Sequence, residues 1–331
     1  MRIFLMILFL GNFISISSQL DSTIKDQSTY IKIGEDSLFA NLIIPENAKH
    51  MVLIIAGSGP TDNDGNNPLG MNENYSYKML AHQLYNNNIG SVRYDKRGIG
   101  SSALAFSGEV DFQFNFFIED AVAILGHIKE NYPDKKIIIA GHSQGSLVGM
   151  IAAQKESVDG FISLAGAGFP IDEVLKEQLK EQPKFFKDYA LKVLDSIKLG
   201  IDLDTIYPPI SNIFPENLQV FLHQWMSFDP LKEINKLNIP VLLINGTHDV
   251  QVSVDNVERL ASEGKQFKIK VIEGMSHVLK DAPKDKEENI NTYNDISLPL
   301  NSEMIMEMLF FINKINKLKS ILLQKPMAYM V

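Results

Sequence analysis

The segment Gly141-His142-Ser143-Gln144-Gly145 carries the residues best suited to covalent chemistry. It fits the pattern G-x-S-x-G and lies between a buried apolar run and a helical pattern. In that context the serine occupies a sharp, strained turn that lifts its hydroxyl above the end of a strand. Side chains at the two glycine positions would clash in so tight a turn. The pattern predicts Ser143 as the nucleophile of an acyl transfer, and a plain glycine-rich turn is the alternative.

A serine hydroxyl is a weak nucleophile until a base takes its proton, and two later segments supply an acid and a histidine. Asp249 follows the strand predicted over 241–245, and His277 follows the strand predicted over 267–272. Each therefore lies just beyond a predicted strand, and the order serine, acid, histidine suits a nucleophile on such a turn. We predict Asp249 as the acid and His277 as the base. Three rivals are interpreted as loop or helix-cap residues: His142, His248 and Asp255.

The oxyanion formed during acyl transfer needs two fixed N–H donors. The residue after the nucleophile supplies one, which predicts the backbone of Gln144. The loop after the third strand supplies the other, and Ser58 is our choice because the glycines on either side of it let the backbone approach a substrate. A tight turn without this role is the alternative for that loop.

The elements that hold these residues are predicted strands and helices, which alternate along most of the chain. Continuous apolar runs such as 51–56 are typical of central parallel strands covered on both faces. Between 168 and 237 the alternation stops, and helical segments with scattered prolines show no clear strand. A closing helix is predicted over 302–317, with Ser302 as its cap and Glu303 in its first turn. The pattern predicts an α/β fold with a mostly parallel sheet and a helical insertion.

Composition excludes several classes of function. The chain has 331 residues, a formal net charge of −9 and no cysteine. Acidic charge without a clustered basic face argues against a nucleic-acid partner. The absence of cysteine excludes disulfides, thiolate metal sites and a cysteine nucleophile. These properties suit a protein that acts on neutral or mildly polar small molecules.

The first residues form a pattern of their own. A short positive start is followed by the apolar run 3–10 and then by small residues at 15 and 17. This pattern predicts a signal peptide over 1–17 and an exported protein, periplasmic or extracellular, without stable membrane insertion after cleavage. An anchor helix that stays in place is the alternative.

Two further segments resemble ligand-binding motifs in composition but lack the spacing that those motifs require. The segment 62–66 (DNDGN) resembles a calcium loop in composition, yet the glutamate that an EF-hand needs at its twelfth position is missing. The Gly98-Ile99-Gly100 segment does not complete a dinucleotide fingerprint before a helix. The stretch 95–98 is interpreted instead as a structural turn beside the active site. We therefore expect no metal and no cofactor.

The predicted catalytic trio and four stretches of sequence together resemble the α/β-hydrolase superfamily, and more narrowly its bacterial esterase and serine-aminopeptidase-like branch. The four stretches are AGSGPTDNDGNN, DKRGIGSS, INGTHDVQV and GMSHVLK. The resemblance implies an eight-stranded, mainly parallel sheet with helices on both faces and a helical lid after the sixth strand. Together with the pattern of strands and helices, it predicts a core over 21–167 and 238–317, a lid over 168–237 and a C-terminal tail over 318–331. It departs from many relatives at Ala56-Gly57, where they have His-Gly.

The resemblance implies a serine hydrolase that cleaves carboxylic esters of small molecules through an acyl-enzyme. An apolar pocket of modest size, supplied by the lid, suggests short to medium acyl chains. The apolar candidates of the lid are Phe185, Phe186, Tyr189, Phe214, Phe221, Leu222, Trp225 and Met226, of which a minority is expected to line the pocket. An aminopeptidase or amidase with the same triad is the first alternative. It would need an acidic residue to hold a free amine, for which the candidates are Glu173, Glu177 and Asp229. A non-catalytic binding protein on the same scaffold is the second.

Overall fold

A computed structural model describes residues 20–68, 70, 73–106, 112–201, 203, 206–211, 214–263, 265 and 267–324. The predicted signal peptide, 1–17, lies outside these residues. In the part of the chain that is described, no helix has the length and apolar character needed to cross a membrane.

Eight strands form one sheet in the order β1-β2-β4-β3-β5-β6-β7-β8. The first pairs antiparallel with the second, the second pairs antiparallel with the fourth, and every other pairing is parallel. This arrangement confirms the predicted fold class. The strands are β1 (Gln27–Ile33), β2 (Asp36–Ile43), β3 (His50–Ile55), β4 (Gly90–Tyr94), β5 (Lys136–His142), β6 (Gly160–Leu164), β7 (Val241–Gly246) and β8 (Lys268–Ile272).

Helices cover both faces of the sheet. Before β7 they are α1 (Ser76–Asn86), α2 (Phe114–Asn131), α3 (Gln144–Lys155), α4 (Ile171–Gln178), α5 (Lys184–Lys198), α6 (Pro208–Ser211), α7 (Gln219–Met226) and α8 (Pro230–Asn235). After it they are α9 (Val254–Leu260), α10 (Lys286–Asn291), α11 (Ser302–Asn313) and α12 (Ile315–Gln324). Four short 3₁₀ segments complete the described elements, at Gly100–Ala105, Leu179–Glu181, Glu216–Leu218 and Thr292–Asn294.

The central strands contribute side chains to two apolar layers, one on each face of the sheet, which explains their continuous apolar sequences. In β3, Met51, Leu53 and Ile55 pack into one layer, whereas Val52 and Ile54 pack into the other. The period of two along a strand sends alternate side chains to opposite faces. The first layer contains α2, α3 and the helical segment 168–237, and the second contains α1 and α11.

The described residues of 168–237 contain α4 to α8 and no strand, and they connect β6 to β7. We call this segment the insertion. Its aromatic residues pack onto α2, where the Phe114 ring stacks on the Trp225 ring with centroids 5.6 Å apart and planes 6° apart. The Phe221 ring meets Phe114 edge-on, at 5.7 Å. Aromatic contacts therefore fasten the insertion to the body of the protein.

Three details at helix ends differ from the sequence predictions. Asn301, rather than Ser302, caps α11, because its side chain accepts a hydrogen bond from the Met304 N–H. Ser253 occupies the N-cap position of α9, so Asp255 lies in the first turn and is not the cap. The predicted closing helix is divided into α11 and α12, and the predicted boundary at residue 317 falls inside α12.

Candidate functional site

Ser143 lies in a tight turn between β5 and α3. Its backbone has φ 52° and ψ −121°, a positive φ that L-residues rarely adopt. A Cβ at Gly141 would lie 2.4 Å from the Gly145 carbonyl oxygen, and one at Gly145 would lie 2.3 Å from the Ile55 carbonyl oxygen. Both glycines of the pattern are thus required by backbone contacts, and the turn places a half-buried serine above the carboxyl end of the sheet.

Asp249 and His277 are brought together at the ends of β7 and β8. His277 Nδ1 lies 2.8 Å from Asp249 Oδ2, and both residues are buried. The other carboxylate oxygen, Oδ1, accepts the backbone N–H groups of Gln251 at 2.9 Å and Val252 at 2.8 Å. Because a carboxylate only accepts, the proton of a neutral His277 lies on Nδ1 and its Nε2 is a free base.

A close backbone approach joins the two loops that carry these residues. A Cβ at Gly246 would lie 1.9 Å from the Met275 carbonyl oxygen, so only glycine fits there. That same oxygen accepts the His248 N–H at 3.2 Å, and the Thr247 N–H reaches the Ile272 carbonyl at 2.9 Å. The acid and the histidine are therefore fixed by the backbone as well as by their own hydrogen bond.

Ser143 and His277 have no direct hydrogen bond within the described part of the chain. They are connected through the residue before the serine, because the His142 and His277 rings lie with centroids 4.8 Å apart. Hydrogen bonds of a catalytic serine are often long before substrate binds and shorten in the complex. The structure thus places the candidate base, His277, near the turn of Ser143, and its side chain is hydrogen-bonded to Asp249.

Ser58 and Gln144, the two predicted oxyanion donors, line the same cavity as Ser143. Gln144 is the first residue of α3, so its N–H lies at the positive end of the helix. Ser58 is exposed in the loop after β3, and among the described residues none accepts its N–H. A Cβ at Gly57 would lie 3.2 Å from the Ser143 Cβ, which shows how closely this loop approaches the nucleophile.

Two buried lysines near the site donate hydrogen bonds to backbone carbonyls of loops. Lys96 Nζ donates to the Gly57 carbonyl at 2.6 Å and also to the Gly59 carbonyl. Lys280 Nζ donates to the Asn74 and Asp295 carbonyls, at 2.9 Å each. Burial lowers the pKa of Lys96 to about 7 and that of Lys280 to about 8. The stretch 95–98, which the sequence identified only as a turn, therefore supports the candidate oxyanion loop.

The three alternatives to the predicted acid and base are His142, His248 and Asp255, and none of them takes part in the hydrogen bond between Asp249 and His277. His142 is buried at the end of β5, against Tyr77 and the His277 backbone. His248 donates from Nδ1 to the Ala282 carbonyl at 2.7 Å, outside the Asp249–His277 pair. Asp255 is exposed on α9.

The calcium-like segment is satisfied by protein groups. Asp62 Oδ1 accepts the N–H groups of Asp64 at 2.9 Å and Asn66 at 2.8 Å. The Asp64 carboxylate is paired with Arg93 at 2.9 Å. Burial raises the pKa of Asp62, which opposes the charge that a cation would need. Within the described ranges, no group of three or more histidines and carboxylates is placed to hold a metal.

The cavity in front of Ser143 has a volume of about 500 Å³ and is bounded by the sheet edge, the insertion and α10. Of the eight apolar candidates named for the insertion, only Trp225 is among the residues that line it. Phe186 and Phe214 line a second cavity of about 210 Å³ within the insertion, and the Phe185 side chain is 76% exposed. Most aromatic side chains of the insertion thus serve packing. The lining residues are Ser58, Ser143, Gln144, Leu147, Ala167, Phe169, Ile171, Val174, Gln178, Trp225, Pro230, Val250, Gln251, Val252, Lys286, Ile290 and Tyr293.

Comparisons with known proteins find chains that are similar in sequence and in fold. Residues 70–209 match the family described as serine aminopeptidase, S33. The chain is 27% identical to Esterase EstD of Thermotoga maritima over 239 residues, which are 69% of this chain and 54% of that protein. This chain thus spans about half the length of that curated relative.

Solved structures show the same architecture. Est1E from Butyrivibrio proteoclasticus, solved with ferulic acid, matches with a TM-score of 0.57 at 20% identity, over 87% of this chain and 99% of that one. The esterase Pf2001 of Pyrococcus furiosus matches with a TM-score of 0.54 at 15% identity, over 88% and 93%. The chain therefore has the α/β-hydrolase fold, and its resemblance to the esterase and serine-aminopeptidase-like branch of that superfamily is confirmed.

Proposed function

We propose that this protein hydrolyses carboxylic esters with short to medium acyl chains through an acyl-enzyme. The observation that carries the proposal is the 2.8 Å bond between His277 and Asp249 beside a serine held at positive φ. A buried acid that fixes the tautomer of a histidine, next to a nucleophile turn, is the arrangement that activates a serine hydroxyl. The likeness to a protein named as an esterase supports the same chemistry.

The reaction follows from the proton positions. His277 Nε2 takes the Ser143 Oγ proton as Oγ attacks the ester carbonyl, and Asp249 stabilises the imidazolium that forms. The Ser58 and Gln144 N–H groups bind the oxyanion, and collapse of the tetrahedral intermediate expels the alcohol, which takes the proton from His277. A water molecule then attacks the acyl carbonyl and gives a proton to His277. The second tetrahedral intermediate collapses, the C–O bond to Ser143 breaks, and Ser143 Oγ takes the proton back from His277 as the carboxylic acid leaves. The step needs no cofactor.

The cavity favours an ester over a substrate with a free amine. Among the described residues that line it, none carries a carboxylate, and Lys286 is the one with a charge. Asp229 accepts the Leu231 N–H at the start of α8 and pairs with Arg259 at 2.8 Å. Glu173 and Glu177 are exposed on α4. An aminopeptidase needs an anion to hold the substrate amine, so this geometry supports the hypothesis that the substrate is a carboxylic ester.

Hydrolysis of p-nitrophenyl acetate, butyrate and octanoate tests the proposal, with amino-acid p-nitroanilides measured in parallel. We expect the acetate and butyrate esters to be cleaved fastest and the Ser143→Ala variant to be inactive. Anilide turnover that rivals ester turnover would establish the aminopeptidase instead. No turnover of either class, together with no labelling by a fluorophosphonate, would support the non-catalytic binding protein.

We also propose that the protein is exported after removal of residues 1–17, on the basis of the N-terminal sequence pattern alone. N-terminal sequencing of the protein recovered from the periplasm or the medium tests this. An intact Met1 on membrane-bound protein would contradict it.

A further inference from the structure

His142 is a buried histidine that the proposed reaction does not use. It ends β5, immediately before the nucleophile, and its side chain is in contact with Tyr77 of α1 and with His277. Burial lowers the pKa of His142 to about 3, so its ring is neutral. A neutral ring adds no positive charge beside His277 when that residue takes a proton.

The partners of His142 allow only one arrangement of protons. His142 Nε2 lies 2.8 Å from the His277 carbonyl oxygen, which can only accept, so Nε2 carries the proton. Nδ1 is then an acceptor, and it takes the Tyr77 O–H at 2.8 Å. The Tyr77 oxygen in turn accepts the Gly57 N–H at 3.0 Å. The result is a continuous chain of three hydrogen bonds, Gly57 to Tyr77 to His142 to His277.

The two ends of this chain are the two parts of the site that must be placed relative to Ser143. Gly57 precedes Ser58, the candidate oxyanion donor, and its Cα faces the His142 ring closely enough that a Cβ would lie 3.1 Å from Nδ1. The His277 carbonyl belongs to the candidate base itself. Tyr77 and His142 are both buried, so water does not compete for these hydrogen bonds.

We propose that Tyr77 and His142 form a bridge that positions the base and the oxyanion loop relative to each other, a role that rests on the proposed function. Neither residue lines the cavity in front of Ser143. Loss of the bridge therefore affects the transition state, where the base and the oxyanion donors act together, more than it affects substrate binding. A displacement of about 1 Å in such a site costs about 100-fold in rate.

The test is the steady-state kinetics of four variants with p-nitrophenyl butyrate. Tyr77→Phe removes one hydroxyl and breaks two of the three bonds, and His142→Leu breaks the bonds on both sides of the ring. We expect each to lower kcat by about 10- to 100-fold with KM changed less than about threefold. His142→Gln keeps one donor and one acceptor and is expected to retain most of kcat. Tyr85→Phe, on the same helix, is the matched control and should match wild type.

The double variant Tyr77→Phe/His142→Leu distinguishes a bridge from two separate packing roles. Because both residues act through one chain of bonds, the double variant should be no slower than His142→Leu alone. If His142→Leu does not fold, as judged by circular dichroism, His142→Ala, which also removes both hydrogen bonds of the ring, replaces it in the cycle.

Three results would overturn the bridge. They are an unchanged kcat in Tyr77→Phe, kcat losses that multiply in the double variant, and equal loss in His142→Gln and His142→Leu. Each applies when wild type hydrolyses the ester and Ser143→Ala does not, so the proposed function stands. A wild-type protein without ester turnover would overturn the proposed function and the bridge with it.

Discussion

The carboxyl edge of the sheet and the insertion are held in place by different kinds of contact. At the sheet edge, backbone atoms meet so closely that only glycine fits at Gly141, Gly145 and Gly246. In the insertion, aromatic rings stack on α2 at ordinary separations. Backbone contacts cannot relax, whereas apolar packing tolerates changes of shape when volume is kept. The edge is therefore suited to fixing the chemistry, and the insertion to adapting the substrate cavity.

The largest effect on stability is expected from a single methyl group at the sheet edge. Gly145→Ala places a Cβ against the Ile55 and Ala56 carbonyls and should lower the free energy of unfolding by about 3 kcal/mol. Gly126→Ala is the matched control, because nothing lies within 4 Å of a Cβ there and the residue is inside α2. It should stabilise the protein by about 0.5–1 kcal/mol. Urea denaturation of both variants measures the contrast, and equal stabilities would contradict the argument from close contact.

The largest effect on activity is expected from the residue that orients the candidate base. Asp249→Asn keeps the shape of the side chain but offers His277 an amide, which permits the wrong tautomer. We expect kcat for ester hydrolysis to fall by about 10⁴-fold, as the loss of the acid does in other serine hydrolases. Asp255→Asn, at the exposed rival acid, should leave kcat within about twofold. A comparable loss in both variants would show that Asp249 is not the acid.

A smaller effect, on the preference for acyl-chain length, is expected from a change in the insertion. Trp225→Ala removes a ring that lines the cavity and should raise the ratio of octanoate to acetate kcat/KM by about tenfold. Phe185→Ala, at an exposed ring, should leave the ratio unchanged. If the ratio is the same in both variants, the insertion does not set the acyl-chain preference.

A pH dependence of stability is also expected at the sheet edge. Burial lowers the pKa of Lys96 from 10.5 to about 7. Between these values the unfolded chain holds a proton that the folded chain lacks, so the contribution of Lys96 to the free energy of unfolding rises with pH. Below pH 7 both states are protonated and this contribution is constant.

Comparison with Lys96→Met measures that contribution. The stability of wild type relative to the variant should increase from pH 7 to pH 9.5. Lys49→Met, at an exposed lysine, should show no such trend. A difference between wild type and Lys96→Met that is independent of pH would contradict the assignment.

The sequence predicted the fold and the placement of the trio because both depend on local patterns. Apolar runs mark the central strands, alternation of lysines with apolar residues marks β8, and Ser143, Asp249 and His277 each follow one of these strands. Parallel strands bring their carboxyl ends to one edge, so the trio lies at that edge once the order of strands is known.

The parts that the sequence did not predict depend on contacts between distant segments. The role of His142 requires Tyr77, which is 65 residues away, and that of Lys96 requires a loop 37 to 39 residues away. The helix α10 was missed because its sequence KEENIN has no apolar period. Asp285, which accepts the Glu287 and Glu288 N–H groups, was the available signal for its start.

The central claim is that Ser143 forms an acyl-enzyme, and mass spectrometry tests it most directly. The protein is mixed with p-nitrophenyl butyrate, quenched in acid during the first turnovers, and digested. We predict a butyryl group on the peptide that contains Ser143, at a level that decays as substrate is exhausted, and none on the Ser143→Ala variant. A butyryl group on another residue, or ester hydrolysis that persists in Ser143→Ala, would contradict the account.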